Sequence, residues 1–322
     1  MIEILLRYLA GRFLRSRAVC KSELYKGWLY GRAWRRLHEE PRVESVSLET
    51  VHACNLACRF CSHPAMTRAR GVMSDAVFVA CMERIRDEGV KKLCLQGFGE
   101  PLLDPQIFDR AKLAKEQYGV EHIFLSTNAT LLSAAACEAL VDSGIDEIGV
   151  SIDAGDRQQY MAVHQHDCFD TVYDNLQRLK AVIRSRGFGP VVGLKYKLPL
   201  GLRGAFKFRK KFAPVADTLH YYTTIMPFPG AVEYEKHLFP NAIQMPCTWL
   251  WHTLCINWTG SAYMCCLDMD CKTDYGSLLD RTIGEVFNGE GMSELRKKHL
   301  QNEFAGQCRT CVMNSHLVLP TA

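Results

Sequence analysis

The chain has no apolar run of membrane-spanning length, so no helical span is expected. It carries little excess charge. Its 39 Lys and Arg against 35 Asp and Glu leave +4 over 322 residues, too little to imply a nucleic-acid partner. No internal repeat or low-complexity segment is evident. Near the start, Ile4, Leu5 and Leu6 make a short apolar stretch, but Arg7 and Arg12 break it, so it does not read as a signal peptide. The most informative lack is a fourth cysteine. Cys54, Cys58 and Cys61 form a C-x3-C-x2-C run directly after an alternating apolar stretch. Three thiolates are one short of a closed four-cysteine site on zinc or on an iron–sulfur cube. The deficit points to a four-iron cluster with one iron left open to a ligand that is not protein.

What is abundant is cysteine itself. There are 15, an odd number, grouped as C-x3-C-x2-C and C-x2-C. In so long a chain that pattern reads as metal ligation in a reducing compartment rather than as a disulfide framework, and the cytoplasm is the expected location. The 48% hydrophobic and 23% charged balance is that of a globular protein.

From about residue 45 short β-rich runs alternate with helical stretches. The strand candidates are 46–50, 92–96, 122–126, 147–152, 191–198 and 218–225. Helical patterns lie at 75–88, 105–118, 133–143 and 169–185, and Gly89, Gly119, Gly144 and Gly187 follow them as stop signals. Strands separated by helices make a parallel sheet with right-handed crossovers. Six strands fall short of a closed eight-stranded barrel. The expected fold is therefore α/β, a partial (β/α)6 TIM-like barrel that binds its ligands at the C-terminal strand ends. Residues 1–42 hold ten Lys or Arg against four Asp or Glu, and Ile2, Leu5, Leu6, Leu9 and Phe13 share one helical face. This reads as a basic helical extension over 1–44, packed on the barrel surface or, as the sharper alternative, touching a membrane surface. Met226-Pro227-Phe228-Pro229-Gly230 reads as a linker, which sets the barrel at 45–226 and a second unit at 227–322.

The cysteine run, on a loop after a first strand, resembles the radical S-adenosylmethionine (SAM) superfamily, and later strand ends agree with it. The second ends in Gly97-Phe98-Gly99-Glu100-Pro101, similar to the family's Gly-Gly-Glu-Pro, with Phe98 for the first glycine. The third ends in Thr127-Asn128 with Ala129 for the family's glycine, and the fourth in Ser151-Ile152-Asp153. The resemblance implies that Cys54, Cys58 and Cys61 hold a [4Fe–4S] cluster whose fourth iron chelates SAM. It also implies that Phe60, Gly99, Glu100, Asn128, Ser151 and Asp153 contact SAM. One electron from the cluster then cleaves SAM to a 5′-deoxyadenosyl radical, and the protein's part is to position it and exclude water.

The tail resembles the single-cluster, twitch form of the SPASM domain. Twelve residues separate Cys247 from Gly260 and four separate Gly260 from Cys265; a Cys308-x2-Cys311 pair follows. The resemblance implies an auxiliary [4Fe–4S] cluster on Cys247, Cys265, Cys308 and Cys311, with Cys266 competing with Cys265 for the ligand position. Gly260 is expected in a hairpin between 254–257 and 261–264. A four-cysteine zinc site is the alternative. Cys255, Cys266 and Cys271 are left over. Most such thiols are small buried hydrophobes, but Cys266, and next Cys255, are candidates to return a hydrogen atom to a substrate radical. Asp268, Asp270, His252 and Trp258 are candidate contacts to a polar substrate, but both aspartates are rather expected in solvent, and His252 and Trp258 in packing.

The implied enzyme abstracts hydrogen from a small polar, amino-sugar or aminocyclitol-like substrate, and either epimerises or oxidises it. A peptide-modifying maturase and a non-catalytic iron–sulfur module are the alternatives. Some 45 residues before the first strand are few for a peptide-recognition domain. An external electron donor such as flavodoxin or ferredoxin is expected.

Overall fold

The computed structural model describes residues 39–222 and 246–311, with residues 4–6, 9 and 37 of the N-terminal segment. Ile2, Phe13, the 226–230 linker and the 226/227 boundary lie outside the described residues.

The chain runs β1 (Ser45–Leu48), α1 (Asp75–Glu88), β2 (Lys92–Leu95), α2 (Ile107–Glu116), β3 (His122–Thr127), α3 (Ala134–Asp142) and β4 (Glu147–Ser151). It continues through α4 (Arg157–His164), α5 (Phe169–Arg186), β5 (Val191–Lys197), α6 (Leu202–Phe212) and β6 (Thr218–Tyr222). The six strands pair in sequence order and all in parallel, the open barrel that the strand–helix alternation predicts. Alternate residues turn opposite ways. Leu93, Leu95, Ile123, Leu125, Ile148, Val150, Val192 and Leu194 are buried in the main core. The positions between them, such as Ser47, Ser126, Ser151, Lys195 and Lys197, form a more polar opposite face.

Local signals place the helices. Ser74, Ser133 and Asp156 each accept a backbone N–H three residues on, capping α1, α3 and α4. Gly89 and Gly187 end α1 and α5 in the left-handed region, both with φ 75°. The sequence pattern singles out neither α4 nor α6. α4 is only eight residues long. α6 holds Gly204 in its first turn, where a Cβ would lie 2.2 Å from the Tyr196 hydroxyl; that glycine lets the helix lie close on β5.

The tail adds α7 (Trp249–His252), β7 (Thr253–Ile256), β8 (Ala262–Tyr263), α8 (Ile283–Phe287) and α9 (Glu290–Leu300). β7 pairs in parallel with β1, in the register Ser45↔Thr253 to Leu48↔Ile256, and β8 returns antiparallel with Gly260 in the turn. The tail's hairpin is thus hydrogen-bonded into the barrel sheet, whose order is β6-β5-β4-β3-β2-β1-β7-β8.

Candidate active site

β1 delivers the chain to the first cysteine loop. His52 N–H bonds to Gly71 O at 2.8 Å and Met73 N–H to Thr50 O at 2.7 Å, which closes the loop at its base. Inside it Cys61 N–H bonds to Cys58 O at 2.9 Å, and His63 N–H reaches the Cys61 sulfur at 3.4 Å. The three thiols are partly buried and within electrostatic reach of one another. Burial, then Cys61 and Cys54, push the Cys58 thiol well up. Burial carries Cys54 to about 11, with Glu100 and Cys61 adding to it. His164 on α4 stands behind Cys58, its Nδ1 3.0 Å from the sulfur and its Nε2 2.9 Å from Ile152 O. A carbonyl partner requires Nε2 to carry the proton, so Nδ1 faces the thiol as acceptor.

The strand ends converge on this loop. Gly99 leaves no room for a side chain, since a Cβ would lie 2.2 Å from Val51 O. Glu100 is buried and accepts from the Thr127 hydroxyl at 2.5 Å, Asn128 N–H at 2.7 Å and Leu102 N–H at 3.2 Å. Burial still outweighs these bonds and raises its pKa to about 7. The Asn128 amide donates to Asn55 Oδ1 at 3.0 Å and accepts from Thr130, so it ties β3 to the cysteine loop. Asp153 sits in the left-handed region at φ 49°. One of its oxygens takes the Lys197 ammonium; the other is buried with no hydrogen-bond partner among the described residues. Lys197 Nζ also stands 4.1 Å over the Phe60 ring. Phe60, Gly99, Glu100, Asn128 and Asp153 therefore surround one region, and Ser151 ends β4 beside them, opposite Lys195.

A second group of thiols gathers in the tail. His299 Nδ1 accepts from Cys247 N–H at 3.1 Å. Buried Arg296 bonds Leu250 O and Phe287 O, which holds α7, α8 and α9 together. Burial, then Cys265, Cys311 and Cys308, push Cys247 well up. Burial raises Cys265 to about 12 and Cys308 to about 11. Cys266 lies within electrostatic reach of this group. Burial, then Cys265, Cys247 and Cys311, raise it as well. β8 ends at Tyr263, so Cys265 and Cys266 both lie past the strand, where the alternation of strand side chains no longer sends neighbours to opposite faces. Cys255 is buried on β7, with Cys266 the first of the thiols that act on it.

Some expectations fail. Asp268 is not in solvent: it is 2% exposed and accepts from Lys272 N–H and Thr273 N–H, each at 3.0 Å, shaping the turn. Asp270 accepts from Thr67 N–H at 2.8 Å. Trp258 packs where a Gly71 Cβ would stand, 2.5 Å from the ring, in line with a packing role. His252 Nδ1 lies 2.9 Å from the Thr253 hydroxyl.

Sequence reading misses three groups. Glu49, one residue past β1, is held by both Arg68 amino groups at 2.5 and 2.7 Å and by Phe98 N–H at 3.0 Å. Burial pushes its pKa up, but the bonds from His52 and Arg68 bring it below the usual range. Arg68 also reaches Met269 O at 2.8 Å, linking the two cysteine loops. Lys195 bonds the Ser126 hydroxyl at 3.2 Å and lies 5.1 Å over Phe124. Burial and then Lys197 lower it to about 8. His164 is the third. Only the alternation on β5, which puts Lys195 and Lys197 on one face, carried a signal. Between the loops lies a cavity of about 310 Å³. Ser62, beside Cys61, Gln307, beside Cys308, and Asp268, Met269 and Asp270 line it.

Soft thiolates suit iron–sulfur chemistry, and no disulfide occupies any of the described cysteines. Among the described residues no group of His, Cys, Asp and Glu is closed tightly enough to hold a single metal ion. The two cysteine-rich segments therefore have the donor chemistry that iron–sulfur clusters take.

Known proteins agree. Residues 48–197 match the model of the radical SAM superfamily, and residues 247–312 that of SPASM, an iron–sulfur cluster-binding domain. Among curated proteins, a GTP 3′,8-cyclase of Chlorobaculum tepidum is 32% identical over 142 residues, covering 43% of this chain and 42% of that protein. The chain spans less than half the length of the first such relatives. Among solved structures, BtrN in complex with AdoMet and 2-DOIA superposes with a TM-score of 0.55 at 18% identity, over 81% of this chain and 88% of that one. SuiB of Streptococcus suis bound to S-adenosylmethionine gives 0.63 at 14% identity, over 91% and 76%. These two likenesses bear on the fold alone. Those domains bring with them SAM, the [4Fe–4S] cluster that binds it and an auxiliary cluster. The chain carries a radical SAM superfamily domain over residues 48–197 and a SPASM iron–sulfur cluster-binding domain over residues 247–312.

Proposed function

We propose that the chain is an enzyme that takes a hydrogen atom from a C–H bond of a small polar substrate held between two cysteine-bound clusters. The observation that carries the reading is that the loop after β1, which holds Cys54, Cys58 and Cys61, is bonded through Arg68 to Met269 O in the segment that follows Cys265 and Cys266, and that both segments line one cavity. Cys54, Cys58 and Cys61 are assigned to the open cluster. Cys247, Cys265, Cys308 and Cys311 are assigned to the auxiliary one, with Cys266 beside it. Bound here, the reduced open cluster and SAM supply the hydrogen-abstracting radical, with the electron coming from a flavodoxin- or ferredoxin-like donor. Glu100 accepts from the SAM ammonium, and Phe60 flanks the adenine. Asn128 holds the cysteine loop in place. Ser151 and Asp153, with Lys197, face the polar remainder. His164 positions Cys58.

Two outcomes fit the surplus thiols: two-electron oxidation, or epimerisation in which Cys266 or Cys255 returns a hydrogen atom. An amino-sugar- or aminocyclitol-like molecule is the first reading of the substrate. A nucleotide is the second reading, favoured by the GTP 3′,8-cyclase relatives.

The test uses anaerobically reconstituted, reduced protein. About eight irons per chain are expected for two cubanes, with SAM cleaved to 5′-deoxyadenosine. Changing Cys54, Cys58 and Cys61 to alanine should abolish cleavage and leave about four irons. Cleavage by the triple variant would sink the assignment, and a wild type that never cleaves SAM would make the chain a non-catalytic module. With a turned-over substrate in D2O, deuterium at one carbon marks epimerisation; an oxidised product without deuterium marks dehydrogenation.

A further inference from the structure

One helix of the barrel carries a basic stripe that the candidate site leaves unused. α6 has five Lys or Arg and no Asp or Glu, although the whole chain has a net charge of only +4. At about 100° per residue, Arg203, Lys207 and Lys210 fall on one stripe, opposite the buried Ala205, Phe208 and Phe212. All three cations are exposed. Arg203 and Lys210 make no hydrogen bond or ion pair with the described residues.

The stripe lies one short helix away from the first cysteine loop. Lys207 bonds Asp156, the N-cap of α4, at 2.5 Å. α4 has eight residues and is therefore about 12 Å long. At its other end His164 Nδ1 stands 3.0 Å from the Cys58 sulfur, and Val163 O accepts from Arg59 N–H at 2.8 Å. Arg59, beside Cys58, is exposed. Between the two ends of α4, Met161 is 46% exposed and Ala162 is exposed too. A small apolar centre inside a charged rim, next to a redox centre, is the anatomy of a weak electron-transfer contact. The sign of the rim selects an acidic partner. Asp156, Asp167 and Asp170 stand among the cations, pairing with Lys207, Arg157 and Lys211. That mixture suits a globular partner more than a continuous phosphate backbone. We propose that the face formed by α4, α6 and Arg59 docks an acidic one-electron carrier protein, an inference that rests on Cys54, Cys58 and Cys61 holding the open cluster. One electron leaves the carrier's reduced cofactor, which is oxidised by one electron, and the open cluster gains it; no bond forms or breaks.

Reconstituted protein mixed with a fully reduced, acidic flavodoxin tests this. The readout is the reduced-cluster signal absent from the Cys54, Cys58 and Cys61 alanine variant, followed by electron paramagnetic resonance of freeze-quenched samples. Arg203→Glu with Lys210→Glu should slow reduction by flavodoxin about tenfold at about 0.1 M salt, and the difference should shrink towards about 0.5 M. SAM cleavage driven by titanium(III) citrate should be unchanged in this variant, which shows that it is folded and loaded. Lys112→Glu with Lys297→Glu, on α2 and α9, makes the same change in net charge and should slow flavodoxin by less than about twofold. Equal flavodoxin rates for wild type and the Arg203 and Lys210 variant would overturn the proposal. So would an equal loss in the Lys112 and Lys297 variant, a wild type that titanium(III) citrate reduces and flavodoxin does not, or duplex DNA held more tightly than flavodoxin through Arg203 and Lys210. Wild type that is reduced but never cleaves SAM would instead sink the proposed function, with the docking still read from the resonance signal.

Discussion

Glu100 is a carboxylate kept half-ready. Three donors hold its oxygens, yet burial leaves its pKa near 7, well above the usual carboxylate range. Its folded pKa is raised above the ordinary 4.5, so this group's contribution to the free protein's stability is present at low pH and is lost as pH rises from about 4.5 through about 7. An arriving ammonium reverses the balance, because only the ionised carboxylate pairs with it. SAM affinity, measured by equilibrium dialysis between pH 6 and 8, is therefore expected to fall by up to about tenfold per unit below pH 7. Glu100→Gln should flatten that profile and weaken binding throughout. A wild-type profile without pH dependence would remove Glu100 from the SAM contact. Asn128 offers no such handle, since its amide is already spent on Asn55 and Thr130.

At the scale of elements, α1 shows how local chemistry sets a boundary. Ser74 caps its first turn and Gly89 ends it in the left-handed region. Ser74→Ala should cost about 1 kcal/mol in urea unfolding, with SAM cleavage intact. A loss near zero would mean that the Ser74–Val77 bond, 3.3 Å long, contributes nothing. Signals of this kind are local, so the strands, the glycine stops and the hairpin turn at Gly260 were readable along the chain. The pairing of β7 with β1 was not, because nothing in Thr253–Ile256 names a partner some 200 residues earlier in sequence. The same holds for Glu49 and Arg68, an ordinary pair of charges until the fold brings them together. Asp268 misled for a related reason: an aspartate two residues from Asp270 and four from Lys272 reads as solvated until the turn closes over it.

Across the whole molecule, Arg68 joins the two cysteine loops, bonding Glu49 on one side and Met269 O on the other. Glu49 is 1% exposed and Arg68 10%. Removing the arginine strands a buried carboxylate, so Arg68→Met is expected to destabilise the protein by about 3 kcal/mol in thermal or urea unfolding. Adding Glu49→Gln should recover part of that loss. If Arg68→Met costs nothing, or the second change recovers nothing, the pair does not couple the loops.

Because β7 lies against β1, the strand that feeds the first cysteine loop is interior to the sheet on both sides. Removing the tail would therefore do more than delete a cluster. It would bare a line of unsatisfied amides and carbonyls on β1, a template for pairing with another chain. The strand that feeds the first cysteine loop and the hairpin that precedes Cys265 and Cys266 are accordingly held by one backbone ladder.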